Sequence, residues 1–202
     1  MSDKLTNKLK LSGSRRNIEK LKKYLRTKNA DGSVTEYDMK KIIPAPTEFQ
    51  SEGNQHSLTY LINGLIINEN DEIDTTSIKT FKKLELSEKI KIFQSAINLM
   101  ICKVKYDYTS IFDWNYENLG CKYIHDGEYI EGINEIQFIT SNGDGTIVIK
   151  ALSRLFPEIV FELRYDLDTI SSDYGVFIVK DGHVLKNGEF SFKDEPVTFF
   201  NI

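Results

Sequence analysis

The chain has 202 residues, of which 40% are hydrophobic and 28% charged, and a chain of that size can bury a core that needs no disulfide or metal staple. Two cysteines, Cys102 and Cys121, exclude a disulfide framework as the organising device and fit a reducing, cytoplasmic setting. The one apolar run that invites a membrane reading, Leu58 to Ile67, is too short and contains Asn63 and Gly64. Lys4, Lys8 and Lys10 are followed by no apolar stretch of secretory type, so the expectation is a soluble protein with no membrane contact.

The formal net charge of −4 conceals an asymmetry. Residues 1 to 28 carry Lys4, Lys8, Lys10, Arg15, Arg16, Lys20, Lys22, Lys23, Arg26 and Lys28 against Asp3 and Glu19, a local charge of about +8. The rest of the chain therefore carries about −12. Fields of opposite sign on one molecule steer charged partners toward different faces.

In chain order, Asn7 to Ser12 alternates polar and apolar side chains, as a half-buried strand does. Gly13 breaks it and Ser14 is placed to cap a helix. Ile18, Leu21 and Leu25 recur at helical spacing in that segment, and Asn29-Ala30-Asp31-Gly32 ends it. Met39 to Ile43 reads as a second short strand, stopped by Pro44 and Pro46. Leu58 to Ile67 fits a buried helix or a strand equally well, and Glu69, Asp71, Glu72 and Asp74 form an acidic loop behind it.

From Ser87 a helix is predicted, with Ile90, Phe93, Ile97, Ile101 and Val104 in one stripe and Met100 alongside. Ile111 to Leu119 makes a further short helix ending at Gly120. Glu135 to Thr140 is a strand, Ser141 to Gly145 a loop, and Thr146 to Phe156 a helix stopped by Pro157. The alternation from Ile159 to Tyr165 is a strand, and Gly175 to Val179 is apolar enough for an inner one. Asp181-Gly182 and Asn187-Gly188 are both hairpin-turn dipeptides, which predicts a C-terminal antiparallel β-meander.

Removing the middle leaves β-α-β and β-α-β, the split βαβ plan of ferredoxin-like folds. The expected fold is thus α+β: a ferredoxin-like antiparallel sheet built from residues 1–46 and 121–202, with 47–120 as a helical insertion in a single domain.

Several segments together carry a resemblance: Asn17 to Leu21 opening the basic helix, Met39 to Pro46, Asp113 to Lys122, Ile136 to Thr140, and Leu152 to Pro157 before an alternating strand. The pattern resembles uncharacterised phage and plasmid proteins that carry a YubB-type ferredoxin-like domain. Its most specific piece contains Trp114, Glu117, Asn118 and Gly120, although Leu119 and Tyr123 stand where the family pattern has tryptophan. The resemblance implies a mobile-element origin, the cytoplasm of a host cell as the setting, and a ferredoxin-like core. It implies no particular activity.

The residue types that carry chemistry are thinly spread. His56, His125 and His183 are far apart. Cys121 and His125 fall short of the four ligands a zinc site takes, and a cysteine nucleophile would need a base and an orienting group close by. Asn142-Gly143-Asp144-Gly145 before a helix lacks the Gly-Lys-Ser/Thr of a phosphate loop, and Asp144 would repel an anion. No catalytic, cofactor or metal residue is therefore assigned, and the expectation is a binding protein rather than an enzyme.

Two charged surfaces compete for that role. In the leading expectation the acidic group Glu69, Asp71, Glu72 and Asp74 meets a basic channel of a host protein, in counter-defence against a nuclease or CRISPR-type effector; Asp166, Asp168 and Asp173 are a second acidic set. In the alternative, the helix cations Arg15, Arg16, Lys20, Lys22, Lys23 and Arg26 meet nucleic acid. Trp114 and Tyr116 are expected in the core, with Asn118 capping the local turn.

Overall fold

A computed structural model describes residues 4–50, 83–108, 110–125, 127–166 and 173–191. The chain divides into two compact units, residues 1–44 with 115–202 and residues 45–114. The first holds the sheet. Its central strand, β1 (Lys4–Ser12), alternates strictly, with Leu5, Asn7, Leu9 and Leu11 buried and the residues between them exposed. A period of two with one covered face is what such alternation dictates.

Strands β6 (Glu135–Ser141) and β7 (Val160–Asp166) pair antiparallel with the two edges of β1. They are joined by helix α4 (Thr146–Leu155), so β6, α4 and β7 form a βαβ unit split by β1. On the far side of β6 lie β4 (Tyr123–Ile124) and β5 (Glu128–Ile130), both antiparallel to it. The order β5-β6-β1-β7 is that of a ferredoxin-like α+β sheet. Beyond β7 the strands β8 (Asp173–Lys180) and β9 (His183–Ser191) extend it to seven strands as a meander. A separate two-stranded ribbon, β2 (Thr27–Lys28) with β3 (Val34–Thr35), follows helix α1 (Arg15–Leu25).

The registers bring core residues into rows across the strands. Ile136, Leu9, Leu163 and Phe177 form one row, and Leu11, Phe161 and Val179 form the next. All seven are buried, and each such side chain contributes about 1.5–3 kcal/mol by leaving water. The third row runs Phe138, Asn7, Tyr165, Gly175. There Asn7 is fully buried and donates from Nδ2 to Thr140 Oγ1 at 2.9 Å and to the Leu5 carbonyl at 3.1 Å. Helix α1 adds Ile18, Leu21 and Leu25 to the core, and α4 adds Val148, Ile149 and Leu152. The Tyr24 and Phe156 rings, 5.5 Å apart edge to face, tie the C-terminal ends of the two helices together.

Local signals explain most boundaries. Ser14 Oγ accepts from the Asn17 N–H at 3.3 Å and starts α1. Asp144 accepts from both the N–H and the hydroxyl of Thr146 at 2.9 and 3.0 Å and starts α4. Asp181 and Gly182 both take positive φ, +49° and +72°, in the two-residue turn between β8 and β9, the geometry that Asp-Gly favours.

Two expected elements are corrected. Met39 to Ile43 is not a strand: Met39–Lys41 is a 3-10 turn capped by Asp38, whose carboxylate accepts from the Lys40 N–H. Met39 and Ile42 are buried, and a spacing of three suits that turn rather than alternation. Asn187-Gly188 is not a hairpin turn either. Both residues sit within β9, paired with Phe177 and Val176; the chain has already reversed at Asp181-Gly182, and an edge strand tolerates their weak strand preference.

In the second unit, helix α2 (Leu86–Tyr106) starts where the Glu85 N–H donates to Glu88 Oε2 at 3.1 Å. It packs on the 3-10 turn Thr47–Gln50 through Tyr106, whose ring lies 6.3 Å from Phe49. Lys105 Nζ reaches Glu48 Oε1 at 2.7 Å. Trp114 is buried 6.4 Å from the same Phe49 ring. The predicted stripe of Ile90, Phe93, Ile97, Met100, Ile101 and Val104 is exposed, as is Leu86 before it, while Ser95 and Cys102 are buried among the described residues of α2. Helix α3 (Ile111–Leu119) crosses the division between the units.

Candidate functional site

The basic helix supplies the most sharply organised charged surface among the described residues. With Ile18, Leu21 and Leu25 held in the core, helical geometry puts Arg16, Lys20 and Lys23 at the point of α1 farthest from the sheet. All three are exposed, as is Arg15 on the flank. No ion pair of these four is found among the described residues.

The two other expected cations are engaged. Lys22 donates to Glu19 Oε1 at 3.1 Å and its Nζ lies 3.7 Å from the centre of the Tyr129 ring. Burial lowers the Lys22 pKa, but the hydrogen bonds to Glu19 and Tyr129 outweigh it, so the group sits above the ordinary lysine value. Arg26 pairs with Glu36 at 3.2 Å. The cations therefore sort into a group of four without an ion pair among the described residues and a pair, half-buried Lys22 and exposed Arg26, whose charges already have partners. Sequence spacing named all six, but only the partners separate them.

A second feature left no sequence expectation behind it. Tyr129 of β5 stacks on Tyr37, with ring centres 5.7 Å apart and planes 19° from parallel. Tyr37 also bridges the sheet edge, accepting from the Gly127 N–H at 3.1 Å. Desolvation beside Tyr129 raises the Tyr37 phenol above its usual pKa. Between α1 and the β5–β6 turn lies a groove of about 450 Å³, whose walls include Arg15, Glu19, Lys22, Tyr129, Glu131 and Asn134. The signal available in the sequence was Gly132, whose φ of +90° turns β5 back into β6.

The remaining expectations fall as follows. Glu69, Asp71, Glu72 and Asp74 lie outside the described residues, as do His56, Asp168 and the run Leu58 to Ile67. Asp166 is exposed at the end of β7. In the motif segment Trp114 is buried and Glu117 exposed. Tyr116, expected in the core, is exposed, because the buried positions of α3 are Trp114 and Leu119. Asn118 is half-buried next to the turn, and Gly120 takes φ +75° as its N–H donates to the Tyr116 carbonyl.

Cys121 and His125 do not form a reactive pair. The Cys121 thiol is buried and pushed up to about 12, by desolvation first and by the nearby Asp144 charge second. The His125 side chain is exposed while its backbone N–H donates to Ile139. No cluster of three His, Cys, Asp or Glu arranged to hold a metal occurs among the described residues, and no described helix is long and apolar enough to cross a membrane. The Asn142 to Gly145 loop is drawn against the turn at Gly120. A Cβ on Gly143 would stand 2.0 Å from the Gly120 carbonyl oxygen, and Asp144 already occupies the start of α4.

Comparison with known proteins adds little. No family model matches the chain, and no curated protein matches it. Among solved structures the chain is similar to the crystal structure of a protein, api92, from Yersinia pseudotuberculosis, of family DUF1281. The identity is 8% and the TM-score 0.45, over 95% of this chain and 99% of that one.

Proposed function

We propose that the chain is an accessory protein of a phage or plasmid that works by binding, and that it meets a nucleic-acid backbone through the outer face of α1. One observation carries this reading: Arg16, Lys20 and Lys23 occupy the apex of the helix with Arg15 beside them, while Lys22 and Arg26 are held by Glu19, Tyr129 and Glu36. The apex group spans about 10 Å along the axis, the rise of about three phosphates on one strand of a duplex.

The contact is to the backbone and reads no bases. The sheet face opposite the helices presents Thr6, Lys8, Lys10 and Ser12 from β1, with Glu135 and Glu162 flanking Lys10. Among the described residues its central strands offer no aromatic platform of the kind that stacks single-stranded bases. Counter-defence by protein contact, the leading expectation from the sequence, would rest on Glu69, Asp71, Glu72 and Asp74, none of which is described.

The test is fluorescence anisotropy with labelled 20-nucleotide duplex and single-stranded probes between 50 and 200 mM salt. Four backbone contacts predict a slope of log K against log salt of about −3.6 on duplex DNA, hence binding roughly a hundredfold weaker at the upper salt. Charge reversal of Arg15, Arg16, Lys20 and Lys23 to Glu should abolish binding. If wild-type protein binds neither probe at 50 mM salt, the reading fails. A nuclease-resistant host protein recovered with the tagged chain, and lost on reversing Glu69, Asp71, Glu72 and Asp74, would favour the counter-defence role instead.

A further inference from the structure

Helix α1 shares its face of the sheet with a second helix, and that helix is basic too. Both α1 and α4 deliver side chains to the covered face, Ile18, Leu21 and Leu25 from one and Val148, Ile149 and Leu152 from the other. The Tyr24–Phe156 contact makes them neighbours. With Val148, Ile149, Leu152 and Ser153 buried, helical geometry puts Lys150 and Arg154 on the side of α4 away from the sheet, one turn apart. Arg154 is exposed and Lys150 half-buried. Neither makes an ion pair among the described residues.

The two helices also agree in sign. Helix α4 contains no acidic residue, and the one in α1, Glu19, is already paired with Lys22. The opposite face of the sheet is mixed. There Lys8, Lys10 and Arg164 sit among Glu135, Glu162 and Asp166, and Arg164 pairs with Glu162 at 2.9 Å. A surface of one sign concentrates the opposite charge of a partner, whereas a mixed one does not.

We propose, resting on the reading of α1 as a backbone-binding face, that α4 is the second half of that surface and that its ligand is a nucleic-acid duplex. Arg15, Arg16, Lys20 and Lys23 of α1 meet the phosphates of one strand, and Lys150 and Arg154 of α4 meet those of the other. Neighbouring helices lie about 8–10 Å apart, axis to axis. That separation falls between the roughly 6 Å and 12 Å widths of the two grooves of a duplex, so each row of cations has a strand to follow. Neither helix exposes an aromatic side chain, so the face holds nothing on which unpaired bases would stack.

The experiment is the salt titration of the full chain on the duplex and single-stranded probes. Six phosphate contacts give a slope of about −5.4 on the duplex, against about −3.6 for α1 alone. Wild-type protein should then lose about 2,000-fold in duplex affinity between 50 and 200 mM salt, and the double variant Lys150→Gln, Arg154→Gln roughly a hundredfold. On the single strand, where α1 alone makes contact, both proteins should follow a slope of about −2.8. The charge-conserving double variant Lys150→Arg, Arg154→Lys should keep the steep duplex slope.

A wild-type duplex slope near −3.6 that the glutamine variant leaves unchanged would overturn the role of α4 and leave the α1 reading standing. Equal weakening of both probes by the glutamine variant would overturn the assignment to a duplex. A charge-conserving variant as shallow as the glutamine one would trace the effect to lost packing and sink the charge contact. Absence of binding to either probe at 50 mM salt would remove the α1 reading, and the role of α4 with it.

Discussion

Gly175 offers the sharpest test of the packing that holds the sheet's third core row. It lies directly across from Tyr165 in the β7–β8 register, and the tyrosine ring folds onto it. A Cβ added there would fall 1.9 Å from Cζ and 2.1 Å from Cε2 of Tyr165. No small adjustment accommodates that, so Gly175→Ala must move the ring. Tyr165 is only 7% exposed. Expelling it fully would return about 150–200 Å² to water, a loss of about 4–5 kcal/mol. A partial shift with strained packing costs about 1–3 kcal/mol.

Against these, the lower entropy of the unfolded chain gives back about 0.4–1 kcal/mol on Gly→Ala. The net expectation is a destabilisation of about 2–3 kcal/mol, read by urea unfolding followed by circular dichroism. The partner dependence is the sharper part. In a Tyr165→Leu background there is no ring to displace, so adding Gly175→Ala should cost less than about 0.5 kcal/mol, a coupling near 2 kcal/mol between the two sites. A Gly175→Ala protein as stable as wild type would refute the argument, as would an equal loss in both backgrounds.

Other expectations follow from the same structure. Gly143→Ala should destabilise by about 2 kcal/mol or more in thermal or urea unfolding, since φ is +147° and the new Cβ meets the Gly120 carbonyl. Asp144→Ala should cost about 1 kcal/mol by freeing the Thr146 N–H and hydroxyl at the start of α4, and Asp144→Asn should recover most of it. The folded Cys121 thiol is held to about 12, above its unfolded value of about 8.5. Its contribution is therefore complete below pH 8 and is lost as pH rises from about 9 toward 12. Cys121→Ala should flatten stability over that alkaline range, and a native chain labelled rapidly at Cys121 by a thiol reagent at pH 7 would contradict the burial.

The legible part of this protein was local and periodic. Alternation in Asn7 to Ser12 and in Ile159 to Tyr165, helical spacing in Ile18, Leu21 and Leu25, and the Asp181-Gly182 turn each depend on neighbours within a few residues. Sequence alone therefore determined the ferredoxin-like α+β plan, the basic character of α1 and the meander after β7. Tertiary structure decided which of two similar signals prevailed: Asn187-Gly188 reads as a turn until the β8 register absorbs it, and Met39 and Ile42 read as strand until Asp38 caps a 3-10 turn. It also divided the cations of α1, because Glu36 and Tyr129 lie 10 and 107 residues from the Arg26 and Lys22 they hold. The α2 stripe makes the point in reverse. Periodicity showed an apolar face, but a hydrophobic pattern records only that a face shuns water, and whether its cover comes from the same chain or another copy is settled by packing.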